Sequence, residues 1–329
     1  MSPQAIHWRG MWADASAIFV QVLLPVLIAT GLGAAVQARF KLDIPTLSRL
    51  NIWLLVPCFL FVKVYESTVS VGDLGWLALG VAIPAVGLGL PLYLMLRRAK
   101  VRGELVAAVV VGGLFYNAGN FGLPVAELLY SVRGVRFEGM ASDADGPAVQ
   151  ALLMMFSNFS IWCLGYVILA AAKGDGWAGA MGYLKLPMLY VLIAAFVLRG
   201  LDVTLWSPVH NALRLVGSGC VPVMLLILGM QLASDARWPR WRVVGVASLV
   251  KLLILPGVTA VTVWGLGLWP WPGAQLIIAA AGPTAVNTLL LSLELKGDAR
   301  TAADVVFWTT LLSAATVTVV IAVVVAAGT

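Results

Sequence analysis

The sequence predicts an all-α polytopic membrane protein with ten transmembrane helices. Of its 329 residues, 61% are hydrophobic and only 11% are charged, and the mean hydropathy is +0.97. Soluble domains average about 45–50% apolar and about 25% charged residues, so the excess apolar surface is expected to face the lipid bilayer. Apolar runs of about 20 residues, the length that crosses a bilayer, recur along the chain. No segment has the composition of a soluble domain.

Ten spans follow from these runs and are joined by short loops. They are expected at residues 17–37, 46–65, 74–96, 105–130, 148–172, 186–203, 209–233, 243–268, 273–295 and 303–327.

Lys and Arg residues are distributed unevenly between alternate loops. One side of the membrane receives 14 of the 21 basic residues, and the other receives Arg9, Arg133, Arg136 and Arg199. Because basic loops stay in the cytoplasm, both termini are expected outside it. The scattered basic residues also argue against a nucleic-acid partner.

Enzyme chemistry has little support in the sequence. Only His7 and His210 could supply imidazole ligands, and no HExxH, GxSxG or P-loop pattern is present. Cys58, Cys163 and Cys220 lie in apolar spans without a CxxC pair. We expect no catalytic site, no metal site and no cofactor.

The two halves of the chain repeat each other in a common register. At an offset of 165 residues, Val56-Pro57 recurs as Val221-Pro222 and Pro91 as Pro256; at an offset of 167, Asn117, Asn120 and Glu127 correspond to Thr284, Asn287 and Glu294. Five spans per copy is an odd number, so the second copy is expected to be inverted, as in secondary transporters. The predicted halves are residues 17–172 and 186–328.

Spans 4 and 9 are predicted to be broken near their middle. Residues 111–124 (VGGLFYNAGNFGLP) and 279–288 (AAAGPTAVNT) place glycines, prolines and amides where a spanning helix needs continuous backbone hydrogen bonds. Helix N-termini inside the membrane suit a small anion, because their free N–H groups and dipole both point toward it. Pro124 is expected to open the second half of span 4.

Residues at these breaks are candidates for substrate binding. The set is Asn117, Asn120, Gly122, Pro124, Pro283, Thr284, Asn287 and Thr288. Their amides and hydroxyls either donate to a carboxylate or only cap the broken helices, and both roles are compatible. Ser157, Asn158 and Ser160 of span 5 either line the same region or bond to neighbouring helices.

Charged residues within the spans are candidates for ion coupling or counter-charge. Lys251 in span 8 either balances the charge of a substrate or carboxylate, or snorkels to an interface. Lys63 and Glu66 are expected to form a surface pair.

Glu127 and Glu294 are repeat mates near the far ends of the two broken helices. A carboxylate at a helix C-terminus needs a cation or holds its proton more tightly. Glu127 is therefore expected to pair with Arg133 or Arg136, and Glu294 with Lys296 or Arg300. The alternative is that one of the two glutamates couples carboxylate movement to a proton.

Three motifs give the chain a resemblance to the bacterial branch of the auxin efflux carrier family. They are residues 117–124 (NAGNFGLP), 50–57 (LNIWLLVP) and 281–287 (AGPTAVN). The resemblance implies a scaffold of spans 1, 2, 6 and 7, a transport domain of spans 3–5 and 8–10 that moves like an elevator, and substrate contact by Asn117. Plant members carry the indole auxin, and bacterial relatives are associated with malonate, malate and similar carboxylates. Asn287 replaces a proline of the plant members.

The expected function is a secondary carrier, in the bacterial inner membrane, of a small organic carboxylate such as malonate, malate or an auxin-like acid. A substrate sensor on a transporter fold and an anion channel are the alternatives. The sequence leaves open the substrate, the direction of transport, coupling to a proton or sodium ion, and assembly into a homodimer.

Overall fold

The computed structural model describes residues 15–101, 103–161, 164, 187–235, 241–294 and 298–328, and these residues form helices joined by loops. In chain order the helices are α1 (Ala15–Phe40), α2 (Ile44–Glu66), α3 (Asp73–Arg98), α4 (Gly103–Leu114), α5 (118–132), α6 (Asp145–Ser160), α7 (Pro187–Gly200), α8 (Ser207–Ser234), α9 (Trp241–Gly265), α10 (Gly273–Ala281), α11 (Asn287–Glu294) and α12 (Ala299–Gly328).

Six of these helices are long and apolar enough to cross a membrane: α1, α2, α3, α8, α9 and α12. They coincide with predicted spans 1, 2, 3, 7, 8 and 10. The described part of α7 has 14 residues and lies within the span expected at 186–203. Much of predicted span 5, together with Cys163, lies outside the described residues. The chain is thus a multi-pass helical membrane protein.

Predicted spans 4 and 9 are each divided into two helices. Helix α4 ends at Leu114 and α5 begins at Ala118, while α10 ends at Ala281 and α11 begins at Asn287. The second half of span 4 begins before Pro124, which lies in the first turn of the α-helical segment Leu123–Ala126. Helix α5 begins with a π-helical turn, Ala118–Gly122, which brings the chain into helical conformation before the proline is reached.

Helix α1 packs closely against α8 through glycines. A Cβ added to Gly229 would lie 1.8 Å from the carbonyl oxygen of Thr30, and one added to Gly33 would lie 2.2 Å from that of Leu226. Helices in lipid gain from such close backbone approach, because no hydrophobic effect drives them together. Helix α8 also contacts α2, which packs against α7.

The remaining long helices form a second group. Helix α3 packs against α4 and α9, and α12 packs against α9 and α10. The two helix breaks belong to this second group, because α4 packs against α3 and α10 packs against α12. One break lies between α4 and α5, and the other lies between α10 and α11. The two groups face each other around the first helical turns of α5, which contact α8.

Buried Asp145 and partly buried Arg199 hold the loop between α2 and α3. The Asp145 carboxylate, at the start of α6, accepts hydrogen bonds from the backbone N and the hydroxyl of Thr68 at 2.7 and 2.9 Å. The Arg199 guanidinium, at the end of α7, donates to the carbonyls of Val64 and Ser67 at 3.0 and 2.7 Å. Because carbonyls at a helix C-terminus attract cations, Arg199 stabilises the end of α2.

Candidate substrate site at the paired helix breaks

The two unwound segments are hydrogen-bonded to each other. The backbone N of Asn117 donates to the carbonyl of Pro283 at 2.7 Å, and the backbone N of Ala285 donates to the carbonyl of Phe115 at 2.9 Å. Tyr116 and Thr284 thereby form an isolated antiparallel bridge. Each break supplies the partners that the other has lost, which removes the cost of unpaired backbone at membrane depth.

A cavity of about 300 Å³ lies beside the breaks. Its lining comes from both breaks, α6, α2, α7 and α8, and comprises Ser48, Asn51, Ile52, Val56, Tyr116, Asn117, Ala118, Gly119, Asn120, Met154, Asn158, Met188, Met224, Ile227, Gln231, Ala285, Val286 and Asn287. A volume near this value suits a small organic ligand. None of these described lining residues is acidic or basic, so the polarity of the cavity comes mainly from amides.

Asn117 is buried in this lining and its side chain is not used for capping. The residue is 7% exposed, its side chain makes no capping hydrogen bond to α5, and its amide Nδ2 has no hydrogen-bond partner among the described residues. Leaving a buried donor unpaired costs about 1–3 kcal/mol. The geometry therefore disfavours capping as the role of Asn117 and leaves its donor available to a ligand.

Two other predicted asparagines lie in the same cavity. Asn287 donates from Nδ2 to Oδ1 of Asn158 at 2.8 Å, and Asn120 contributes to the lining near the start of α5. The structure thus brings together Asn117, Asn120 and Asn287, together with Asn158 of α6.

Predicted residues Thr284 and Thr288 lie outside the cavity lining. The Thr284 hydroxyl donates to the carbonyl of Gly112 at 2.6 Å, and the Thr288 hydroxyl donates to the carbonyl of Ala285 at 2.7 Å. The backbone N of Thr284 also donates to the hydroxyl of Thr309 at 3.1 Å. In this structure both threonines hold the backbone around the breaks.

The glycine and proline candidates also lie outside the cavity lining and contribute to the structure around the breaks. Pro283 accepts the hydrogen bond from Asn117, and Pro124 is buried within α5. Gly122 makes room for Gln150, because a Cβ at position 122 would lie 2.2 Å from the amide Nε2 of that residue.

Gln150 belongs to a buried polar chain that sequence reasoning missed. Its Nε2 donates to the carbonyl of Ala118 at 2.8 Å, and its Oε1 accepts from Nε2 of Gln275. Gln275 in turn accepts from the hydroxyl of Tyr130 at 2.7 Å. The chain links α5, α6 and α10 and holds the first residue of α5. Polar residues within apolar spans were its signal in the sequence.

Lys251 is fully buried behind the cavity. Its Nζ donates to the carbonyl of Ala280, at the end of α10, at 2.5 Å. It also lies 5.5 Å from the ring centroid of Tyr116, a residue of the cavity lining. The residue is 0% exposed, so the snorkelling alternative is wrong. The hydrogen bond favours a role at the end of the broken helix, where the carbonyls are partly negative.

Glu127 pairs with a residue that the sequence did not suggest. Its carboxylate lies 2.8 Å from Nζ of Lys63, so the expected pairing with Arg133 or Arg136 is wrong. Arg133 donates to Gln21 instead. The Lys63–Glu127 pair connects α2 to α5.

The expected pair of Lys63 and Glu66 is therefore also wrong. Glu66 lies 3.1 Å from Nε2 of His210 and 3.6 Å from Nε of Arg214, both on α8. The prediction paired Lys63 with Glu66 because they lie three residues apart on one helix. In the fold, each side chain pairs with a residue of a neighbouring helix instead. The side chain of Glu294 lies outside the described residues.

Two further cavity residues were missed. The buried atoms Oδ1 of Asn51 and Oε1 of Gln231 have no hydrogen-bond partner among the described residues. Both are polar residues within apolar spans, which is the signal that could have found them. Asn51 lies inside one of the three motifs but was not singled out within it.

Comparison with known proteins agrees with the transporter character of this arrangement. Residues 180–321 match a family model described as "Membrane transport protein", which is that of the auxin efflux carrier family. A search of curated proteins gives no match. The matched segment includes the break between α10 and α11, Gln231 and Lys251. The match confirms the resemblance for residues 180–321, which contain the motif at 281–287 and are similar to the auxin efflux carrier family.

Proposed function

We propose that the protein is a secondary carrier of a small organic carboxylate, which binds in the cavity beside the paired breaks. The observation that carries the proposal is the unpaired, buried amide of Asn117 in the lining of this cavity. Two helix N-termini support an anion as the ligand. Ala118, Gly119 and Asn120 begin α5, Asn287 begins α11, and all four line the cavity.

The proposed architecture has ten spans in two inverted halves, residues 17–172 and 186–328. Helices α1, α2, α7 and α8 form the scaffold, and the other helices form a transport domain that moves as an elevator. The packing of α2 against α7 and α8 supports this division, as does the position of the cavity between the two groups. The excess of basic residues in alternate loops supports an orientation with both termini outside the cytoplasm. The resemblance to the bacterial branch of the family supports a bacterial inner-membrane location.

A sensor and an anion channel are the competing functions. A channel needs a continuous polar path, whereas the amide-lined cavity is separate from the cavity lined by Lys63, Glu66 and Glu127. A sensor binds the same ligand without moving it, so only flux separates it from a carrier.

The test is uptake of labelled carboxylates, including malonate, malate and monocarboxylates, into proteoliposomes that contain the purified protein. Asn117→Ala is expected to weaken binding about 10-fold or more, because it removes a hydrogen bond to a charged group. Asn211→Ala is the matched control, since Asn211 lies outside the cavity and bonds to Ser207 at 3.4 Å.

Binding without uptake would indicate a sensor. Flux that does not saturate with concentration would indicate a channel. Unchanged affinity in a folded but less stable Asn117→Ala protein would show that Asn117 serves the fold alone.

A further inference from the structure

The cavity lies at one end of the boundary between the two helix groups. On α2 its lining includes Ser48 and Asn51, in the first half of the helix, and on α8 it includes Ile227 and Gln231, in the second half. Met188, at the start of α7, also lines it. These helix ends adjoin the loops that carry most of the Lys and Arg residues. In the proposed orientation, the cavity therefore occupies the cytoplasmic half of the boundary.

Two polar contacts join the helix groups at the opposite end. Nζ of Lys63, in the last turn of α2, lies 2.8 Å from the carboxylate of Glu127 on α5. The guanidinium of Arg133, directly after α5, donates to Oε1 of Gln21 on α1 at 3.0 Å. Helices α1 and α2 belong to the proposed scaffold, and α5 belongs to the proposed transport domain. Each contact therefore crosses the boundary along which the two parts would move.

The scaffold side of these contacts is held together by its own packing. A Cβ added to Gly217 of α8 would lie 2.9 Å from the backbone N of Phe59 on α2. Glu66, the last residue of α2, lies 3.1 Å from His210 and 3.6 Å from Arg214, both on α8. Helices α2 and α8 are thus joined at this end, so α5 is the part that can move away.

We propose that the Lys63–Glu127 and Gln21–Arg133 contacts form an outer gate, which is closed in this structure while the cavity faces the cytoplasm. This inference rests on the proposed function and orientation, and it names the contacts that movement of the transport domain must break. When α5 moves toward the outside, both contacts separate and the breaks become reachable from that side.

The surroundings of the ion pair suit a contact that breaks in every cycle. The side chains of Lys63 and Glu127 are 17% and 24% exposed, and both line a second cavity of about 180 Å³, where water can hydrate them after they part. Ion pairs that water reaches contribute little to stability. Glu66 lies one helical turn from Lys63 and can replace Glu127 as its partner. The pair therefore closes the outer side without locking it.

The experiment measures from which side of the membrane a cysteine in the cavity reacts. Val286 lines the cavity at the second break, and Val286→Cys is introduced into the full chain after Cys58, Cys163 and Cys220 have been replaced by alanine. A membrane-impermeant maleimide is added to intact cells, which present the outer side, or to inside-out vesicles. Labelling from the cytoplasmic side should be at least about 10-fold faster, because an alternative state is a minor population.

Charge reversal tests the gate itself. Lys63→Glu should raise the rate of labelling from the outside at least about 5-fold, because it replaces attraction by repulsion in the closed state alone. Adding Glu127→Lys should return the rate to within about twofold of its original value, since the pair forms again with its charges exchanged. If Lys63→Glu is not recovered, Glu127→Gln takes its place, with an expected increase of about two- to fivefold.

Arg136→Glu is the matched control for charge reversal. Arg136 lies 2.6 Å from Asp143 in the loop between α5 and α6, so this ion pair does not cross the boundary between the helix groups. The outer labelling rate should therefore stay unchanged in this variant. An increase equal to that of Lys63→Glu would overturn the gate, because any lost ion pair would then have the same effect.

The other outcomes separate the gate from the proposed function. An unchanged outer rate in folded Lys63→Glu protein overturns the gate, as does an increase that the exchanged pair does not reverse. Faster labelling from the outside before any charge is changed also overturns it. Equal rates from both sides would indicate a channel and overturn the proposed function as well. Because the assay contains no substrate, failure of the gate alone leaves the proposed binding of a carboxylate in place.

Discussion

Gly122→Ala is expected to have opposite effects on stability, depending on the residue at position 150. In the native protein, the added Cβ would lie 2.2 Å from Nε2 of Gln150 and 3.4 Å from the carbonyl oxygen of Asn117. The backbone of Gly122 is helical, with φ −66° and ψ −44°, so an alanine needs no change of conformation. The clash with Gln150, and not backbone strain, therefore decides the result.

The hydrogen bonds of Gln150 set the magnitude. To escape the new methyl group, its amide must leave the carbonyl of Ala118 and the amide of Gln275. Hydrogen bonds between membrane helices contribute about 0.6 kcal/mol on average and about 1.7 kcal/mol at most, so two of them amount to about 1–3 kcal/mol. Alanine is better than glycine in a helix by about 1 kcal/mol, which offsets part of this loss. Gly122→Ala should therefore destabilise the protein by up to about 2 kcal/mol.

In a Gln150→Ala background, no amide remains to be displaced. The same Gly122→Ala change should then be neutral or stabilising by up to about 1 kcal/mol, so the two substitutions are strongly non-additive. Thermal unfolding of the four proteins in one detergent measures the effect. Gly87→Ala in α3 is the control, because no atom lies within 4 Å of its added Cβ. An equal loss from Gly122→Ala in both backgrounds would refute the reasoning.

Three further predictions concern contacts between helices. Cysteines replacing Lys63 and Glu127, joined by a bifunctional reagent, should stop transport until the link is cleaved; transport by fully cross-linked protein would contradict movement of α2 against α5. Lys251→Met should lower the unfolding temperature, because the carbonyl of Ala280 loses its buried donor, and an unchanged melting curve would show that this bond contributes nothing. Gly229→Leu should separate α1 from α8 and prevent recovery of monodisperse protein in size-exclusion chromatography, whereas normal recovery would show that the close approach is dispensable.

The sequence by itself determined the membrane class, six long helices and the two interrupted ones. The physical reason is local. In lipid an apolar run of about 20 residues must satisfy its backbone within one helix, and a cluster of glycine, proline and amide residues interrupts that pattern wherever it occurs. Asn117 and Asn287 could be found in this way because they lie at the interruptions themselves. The first residue of α5 could not be found in this way, because a π-helical turn makes the helix begin at Ala118, before Pro124.

Only the tertiary structure decided which side chains meet. Glu127 pairs with Lys63 and not with a neighbouring arginine, and Gln150 accepts a hydrogen bond from Gln275. Asn51 and Gln231 line the same cavity as Asn117. A helix that faces lipid on one side and protein on the other is apolar on both, so hydropathy does not reveal how it is rotated. Its polar partners are therefore chosen by the packing of helices far apart in the chain.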